Sequence, residues 1–232
     1  MLKIYIIRHG ETDWNVEGRV QGWTDTPLNA KGLAQARLIA CRLGEEKGFD
    51  ALYSSPLQRA WRTAEDIAGA VGLTPVPEPR LKERCLGMIE GHTFLEIEQQ
   101  DPELYRRWRQ DPRRVALPGE EARECFQDRI RDLLEELQAR HPGGRIILVT
   151  HGGTLAMIIA TVIQLDVERH FPFWFDNACL NVVEFGGRVP RVLSLNDTCH
   201  LRNGSSHPSV EQEPALDAKT GRNGGEAGVL EA

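Results

Sequence analysis

Two segments of this chain end in the same way. Leu2 to Ile7 is a strongly apolar, isoleucine-rich segment that leads into Arg8-His9-Gly10-Glu11-Thr12, and Arg145 to Thr150 is a second that leads into His151-Gly152-Gly153. A short apolar run of this kind reads as a strand buried on both faces, the sort found in a parallel sheet covered by helices. In such sheets ligands bind outside the carboxyl ends of the strands. Each histidine therefore stands where a site is expected, followed by a glycine that lets backbone come close to a ligand.

The rest of the chain keeps a strand-then-helix rhythm. A helical period runs from about Ala30 to Lys47, with Leu33, Ala36, Ala40 and Leu43 on one stripe. Asp50 to Ser54 reads as a strand, and Pro56 as the first turn of a helix that turns Leu57, Ala60, Ala64, Ile67 and Ala68 inward and ends near Gly72. Thr74 to Pro79 reads as an extended connector or edge strand. An Arg-rich insert, Thr93 to Pro118, predicts one or two short helices over the sheet edge. Gly119 to His141 and Gly153 to Leu165 predict two further helices; Ala178 to Phe185 and Val189 to Leu195, split by Gly186-Gly187, predict a closing hairpin. The expected fold is α/β, a three-layer α/β/α sandwich on a mostly parallel sheet. It fills residues 1–200. Residues 201–232 have no aromatic side chain and five glycines, and read as a flexible, disordered tail.

Charge narrows the ligand. The 232 residues carry 28 Lys and Arg against 34 Asp and Glu, a formal net charge of −6. That excludes holding nucleic acid or an anionic membrane through bulk positive charge. An anionic ligand must be held locally, and 23 of the 28 cations are Arg, the planar fork donor suited to phosphate or carboxylate. No run approaches the roughly 18 apolar residues of a membrane span, and the start lacks a signal-peptide core, so a cytoplasmic protein is expected. Cys41, Cys85, Cys125, Cys179 and Cys199 form no close pair of the zinc or redox type and are expected as reduced, mostly buried thiols. Neither metal nor cofactor is expected.

Arg8 and His9 are the parts of an anion pocket that also holds a nucleophile or proton carrier. His151-Gly152-Gly153 opens a helix whose N-terminal amides can face the same anion. Between them, Ser54-Ser55-Pro56-Leu57-Gln58-Arg59-Ala60 puts Arg59 in a first helical turn near the same rim. Two arginines and two histidines suit the three equatorial oxygens of a phosphoryl group. Glu11 and Glu90 read as structural carboxylates that accept backbone hydrogen bonds, and His92, His141, His170 and His207 have no supporting context. Arg106, Arg107, Arg109, Arg113 and Arg114 read as a solvated face, and Phe171, Phe173, Trp174 and Phe175 as core packing.

In combination, Arg8 to Asn15, Gln21 to Leu28, Ser54 to Ala60 with Thr63-Ala64, Leu81-Lys82-Glu83 with Gly87 and Glu90-Gly91, and Thr150-His151-Gly152 resemble the histidine phosphatase superfamily, which includes the cofactor-dependent phosphoglycerate mutases. The resemblance implies a phosphoglycerate mutase-like fold and a metal-independent phosphomonoesterase. It implies His9 as a nucleophile that forms phosphohistidine, Arg8, Arg59 and His151 as the clamp on the phosphoryl oxygens, and Glu83 as general acid and then base. Asn15, Gln21, Gly22, Gly152 and the late His200 are the implied substrate-binding positions, with a small phosphorylated metabolite as partner and a homodimer as candidate assembly. Here Glu90-Gly91 is followed by His92-Thr93-Phe94, without the Lys that mutases place soon after, and the insert is short. Hydrolysis is therefore favoured over the mutase alternative; a noncatalytic phosphate-binding protein is a third reading, expected only if a core residue were missing. Asp176-Asn177-Ala178 and Asn196 to Leu201 resemble the metal-independent phosphoserine phosphatase branch, but Leu86 stands where that branch has His. Phosphoserine, sugar phosphates and α-ribazole phosphate all stay open as substrates.

Overall fold

Strand β1 (Leu2–Arg8) pairs in parallel with β4 (Arg145–Thr150), Arg8 opposite Thr150, and β2 (Ala51–Ser54) pairs in parallel with β4, Ser54 opposite Val149. Three strands thus stop at one level. The next residue of each, His9, Ser55 and His151, is carried to the same rim. This computed structural model describes residues 1–110, 115–165 and 173–204. The six strands are ordered β3-β2-β4-β1-β5-β6, with β3 (Pro75–Pro77) parallel at one edge and β5 (Leu180–Phe185) and β6 (Arg191–Asp197) antiparallel at the other.

Alternation along the strands sorts the core into two layers. Ile4, Ile6, Ile146 and Leu148 face α6 (Arg123–Arg140) and α7 (Gly152–Val162); Tyr5, Ile7, Ile147 and Val149 face α2 (Ala30–Glu45) and α3 (Gln58–Val71). The expected sandwich is present. Gly72 closes α3 with φ of 71°, a left-handed cap that costs glycine nothing. Pro56 lies just before α3, whose N-cap is Leu57, and Asp25 of a distant loop supplies the missing acceptor to the Gln58 N–H at 2.7 Å.

Several local expectations change. A short helix α1 (Asp13–Val16) follows Thr12, which makes a capping box with Asn15; four residues are too few to show a period in the sequence. The insert forms α4 (Phe94–Gln100) and α5 (Pro102–Gln110), and it packs on Val20, Leu86, Ile89 and Leu117 rather than over a sheet edge. The thiols are free, but Cys179 alone is buried, with Cys41, Cys125 and Cys199 exposed. A 3-10 turn spans Cys199–Gly204 and sets Leu201 against the α2 and α3 layer. The remainder of the expected tail, with His207, lies outside the described residues, as do Arg113, Arg114, His170 and Phe171. Among the described residues no helix is long and apolar enough to cross a membrane.

Candidate active site

The rim opens into a cleft of about 480 Å³. Arg8, His9, Arg59 and Glu83 line it together with Asn15, Gln21, Gly22 and Gly152, and His151 lies buried directly behind, its ring 5.2 Å from that of His9. His200 is not brought there. Its Nε2–H donates to the Ala178 carbonyl at 3.0 Å and its Nδ1 accepts from Arg42, itself paired with Asp197, which sets the ring behind the β1 rim and not among the residues that line the cleft.

His9 is buried, and its Nδ1–H donates to the Gly10 carbonyl at 2.7 Å, which leaves the lone pair on Nε2. Burial first, and then the Arg59 and Arg8 charges, hold its pKa well below the ordinary histidine value. The loop beneath is fixed by contact. A Cβ on Gly10 would stand 2.4 Å from the Gly32 carbonyl, and one on Gly32 2.0 Å from the Glu11 carbonyl, so two glycines let α2 close against the His9 loop. The Gly10 N–H donates to Thr63, one turn after Arg59 on α3, and the Ala178 N–H, from a residue with φ of 56°, reaches the Arg8 and His9 carbonyls at 3.1 Å. Asn177 Nδ2 adds a bond to the His9 carbonyl.

Arg59 is 1% exposed, and burial lowers its pKa to about 10, still charged at neutral pH. Its NH1 donates to the Thr24 carbonyl at 2.9 Å, its NH2 to the Gly22 carbonyl at 2.8 Å, and its Nε to His151 Nδ1 at 3.2 Å. His151 Nδ1 is therefore an acceptor, and its Nε2–H donates to Ser55 Oγ at 2.7 Å. Burial, with Arg59 beside it, keeps the His151 pKa well below the ordinary value too. Arg8 donates NH1 to the Phe175 carbonyl, and its buried Nε has no partner among the described residues. Gly152 packs where a Cβ would lie 3.4 Å from that Nε.

Glu83 sits against the N-terminus of α7, where its Oε2 accepts from the Gly153 N–H at 2.8 Å and its Oε1 from the Arg84 N–H at 2.9 Å. Its backbone carbonyl accepts from Trp23 Nε1 and Arg129. A Cβ on Gly153 would lie 2.5 Å from Glu83 Oε1, so only glycine leaves room for the carboxylate.

Glu90 holds this side of the cleft. Burial opposes its charge, but N–H groups of Trp23, Leu86 and Thr24 and the Thr24 hydroxyl outweigh that and leave its pKa below the ordinary carboxylate value. Gly22, at φ of 50°, has no room for a Cβ, which would meet Glu90 Oε1 at 2.1 Å. Glu11 instead accepts from the side chains of Asn29 and Lys31, a correction to the backbone acceptance expected of it. Asn15 Oδ1 accepts from Thr12 and Asn177, and Gln21 Oε1 from Thr26. His92 and His141 lie away from the cleft, bonded to the Glu90 carbonyl and to Tyr53. Among the described residues no group of three His, Cys, Asp or Glu is placed to hold a metal.

The profile of the histidine phosphatase superfamily (branch 1) matches residues 4–198, nearly the whole described chain. The chain belongs to this superfamily. This histidine phosphatase is 35% identical over 201 residues to phosphoserine phosphatase 1 of Hydrogenobacter thermophilus, covering 87% of this chain and 95% of that one. It is 38% identical over 201 residues to the metal-independent phosphoserine phosphatase of Arabidopsis thaliana, covering 86% and 83%. Its fold is similar to that of Bacillus stearothermophilus YhfR, with TM-score 0.79, 33% identity, and 87% and 100% of the two chains covered. As a member of this family it is a phosphoric monoester hydrolase with a small phosphorylated substrate.

Two features of the histidine phosphatase site lie within or beside the sequence motifs without a role that the sequence assigns them. Ser55, Thr63 and Asn177 orient His151 and the His9 loop, although only their fold neighbours say so. Phe173 packs against the core and Phe175 is buried, but Trp174 is 68% exposed, and all three line the cleft rather than serving core packing alone.

Proposed function

We propose that this chain hydrolyses phosphomonoesters in two displacements through a phosphohistidine on His9. The observation that carries the reading is His9 itself: buried, neutral, its Nδ1–H tied to Gly10, and its Nε2 lone pair next to two guanidinium groups. The lone pair attacks phosphorus, the ester P–O bond breaks, and its electron pair leaves on the alcohol oxygen, to which Glu83 gives a proton. Water then attacks phosphorus, hands a proton to the Glu83 carboxylate, and the P–N pair returns to Nε2. Arg8 Nε–H, Arg59 and the Nε2–H of His151, turning from Ser55, bind the three equatorial oxygens, where charge stabilisation does most of the work. Asn15 and Gln21, whose amide nitrogens take no part in the bonds to Thr12, Asn177 and Thr26, serve the substrate side with Gly22 and Gly152.

The test compares leaving groups under a chelator. Glu83→Gln keeps the size of the side chain but has no proton to give, so it slows an alkyl phosphate about 100-fold more than p-nitrophenyl phosphate, whose phenolate leaves unaided. Equal slowing of both esters removes Glu83 from the acid role. The pH profile is a second check. Because the His9 pKa is depressed, its neutral, attacking form persists as pH falls through 6.5. The acid limb of kcat/KM therefore shows the second ionisation of the ester near pH 6 but no histidine of ordinary pKa; a His9 titration at 6.5, followed by NMR, contradicts this.

A further inference from the structure

Away from the phosphate end, the walls of the cleft are apolar. Phe94 of α4 lines it, stacked on Trp108 of α5 at 5.9 Å, as do Phe126 of α6 and the Phe173-Trp174-Phe175 segment before β5. Trp174, 68% exposed, adds an apolar face to this end of the cleft. The two cations on these walls are already engaged. Arg19 donates to Glu17, Glu96 and the Gly91 carbonyl, and Arg84 donates to the Glu121 carbonyl and lies 3.2 Å from the buried carboxylate of Glu120. Glu83, the carboxylate that lines the cleft, has both oxygens on backbone N–H groups. Among the described lining residues beyond the phosphate end, both guanidinium charges are thus already paired with carboxylates of the chain itself.

We infer that the cleft selects phosphomonoesters of apolar, aryl-bearing alcohols over esters of small zwitterionic alcohols such as serine. The inference rests on the phosphatase reading above and assigns its substrate class. An aryl group would gain by leaving water against Phe94, Phe126 and Trp174, whereas a carboxylate and an ammonium would lose hydration there with no unpaired charge among the described wall residues to meet them.

The experiment uses the full chain and three primary alkyl esters, 2-phenylethyl phosphate, phosphoserine and glycerol 3-phosphate, so that each makes a similar demand on the general acid. The kcat/KM for 2-phenylethyl phosphate is expected to exceed that for phosphoserine on the order of 100-fold. Phosphoserine turned over as well or better overturns the inference and leaves the phosphatase reading standing; phosphate released from none of the three, nor from p-nitrophenyl phosphate, overturns both. Two variants locate the preference. Trp174→Ala lowers the ratio about tenfold through the aryl ester, and Leu86→Lys, which puts an unpaired cation on the wall, lowers it about tenfold by raising phosphoserine. A ratio that neither folded variant moves overturns the assignment of these walls.

Discussion

His9→Ala loses about 10⁵-fold or more in kcat on every ester, because the atom that forms the bond to phosphorus is gone. Structural loss does not account for a fall of that size. The imidazole makes one side-chain hydrogen bond, to the carbonyl of the adjacent Gly10, and the loop is held independently by Gly10 to Thr63, by Ala178 to the Arg8 and His9 carbonyls, and by Gly32 against Glu11. The variant is expected to fold with a loss of about 1–3 kcal/mol, from a buried acceptor left without its donor and a cavity of ring size. It still binds inorganic phosphate, since Arg8 and Arg59 remain. In the wild type, an excess of labelled ester followed by quenching in base, where the P–N bond survives, traps label on His9. Substantial turnover by His9→Ala, or label on another side chain, removes His9 as nucleophile.

Arg59→Met is the second large effect, about 10³-fold in kcat/KM, at the upper end for loss of one transition-state donor. Its stability consequence is smaller than the count of lost bonds implies. Substitution leaves Gly22, Thr24 and His151 without a donor, about 1–3 kcal/mol each by the usual measure. It also relieves a buried charge whose pKa burial has lowered to about 10, and the two effects oppose. The discriminating measurement is the shift in melting temperature on adding phosphate or vanadate. Wild type gains stability by mass action because the anion neutralises two buried guanidinium groups; Arg59→Met gains little or none. A variant that keeps the full anion-induced shift would make Arg59 a strut of the loop rather than part of the clamp.

The sequence was most legible where one residue type has one physical use. Apolar runs ending in His-Gly located β1 and β4, and the register that aligns Arg8 with Thr150 brings their histidines together as expected. Glycines carried more than turn signals: Gly22, Gly32 and Gly153 each stand where a Cβ would strike backbone or a functional carboxylate, yet in the sequence Gly32 looks like a weak point in a helix. Legibility failed where partners are distant in sequence. Arg42 and Asp197, which retain His200 behind the rim, are 155 residues apart, and nothing local to His200 signals that its imidazole is already occupied. The aromatic segment from Phe173 to Phe175 looked like core because burial and cleft lining draw on the same side chains.

What the sequence determined by itself is which residue types stand at the ends of the central strands. Arg8, His9, Arg59 and His151 are the last or first residues at strand ends or in the first turn of a helix, positions that the apolar runs and periods along the chain mark out, and the pairing of β1 and β2 with β4 then brings them to one rim. Which nitrogen of each histidine holds the proton, where Glu83 meets the start of α7, and which side chains wall the rest of the cleft were decided only in the tertiary structure. Each depends on contacts between segments tens of residues apart. A pattern along the chain encodes burial and period, but not which buried groups meet.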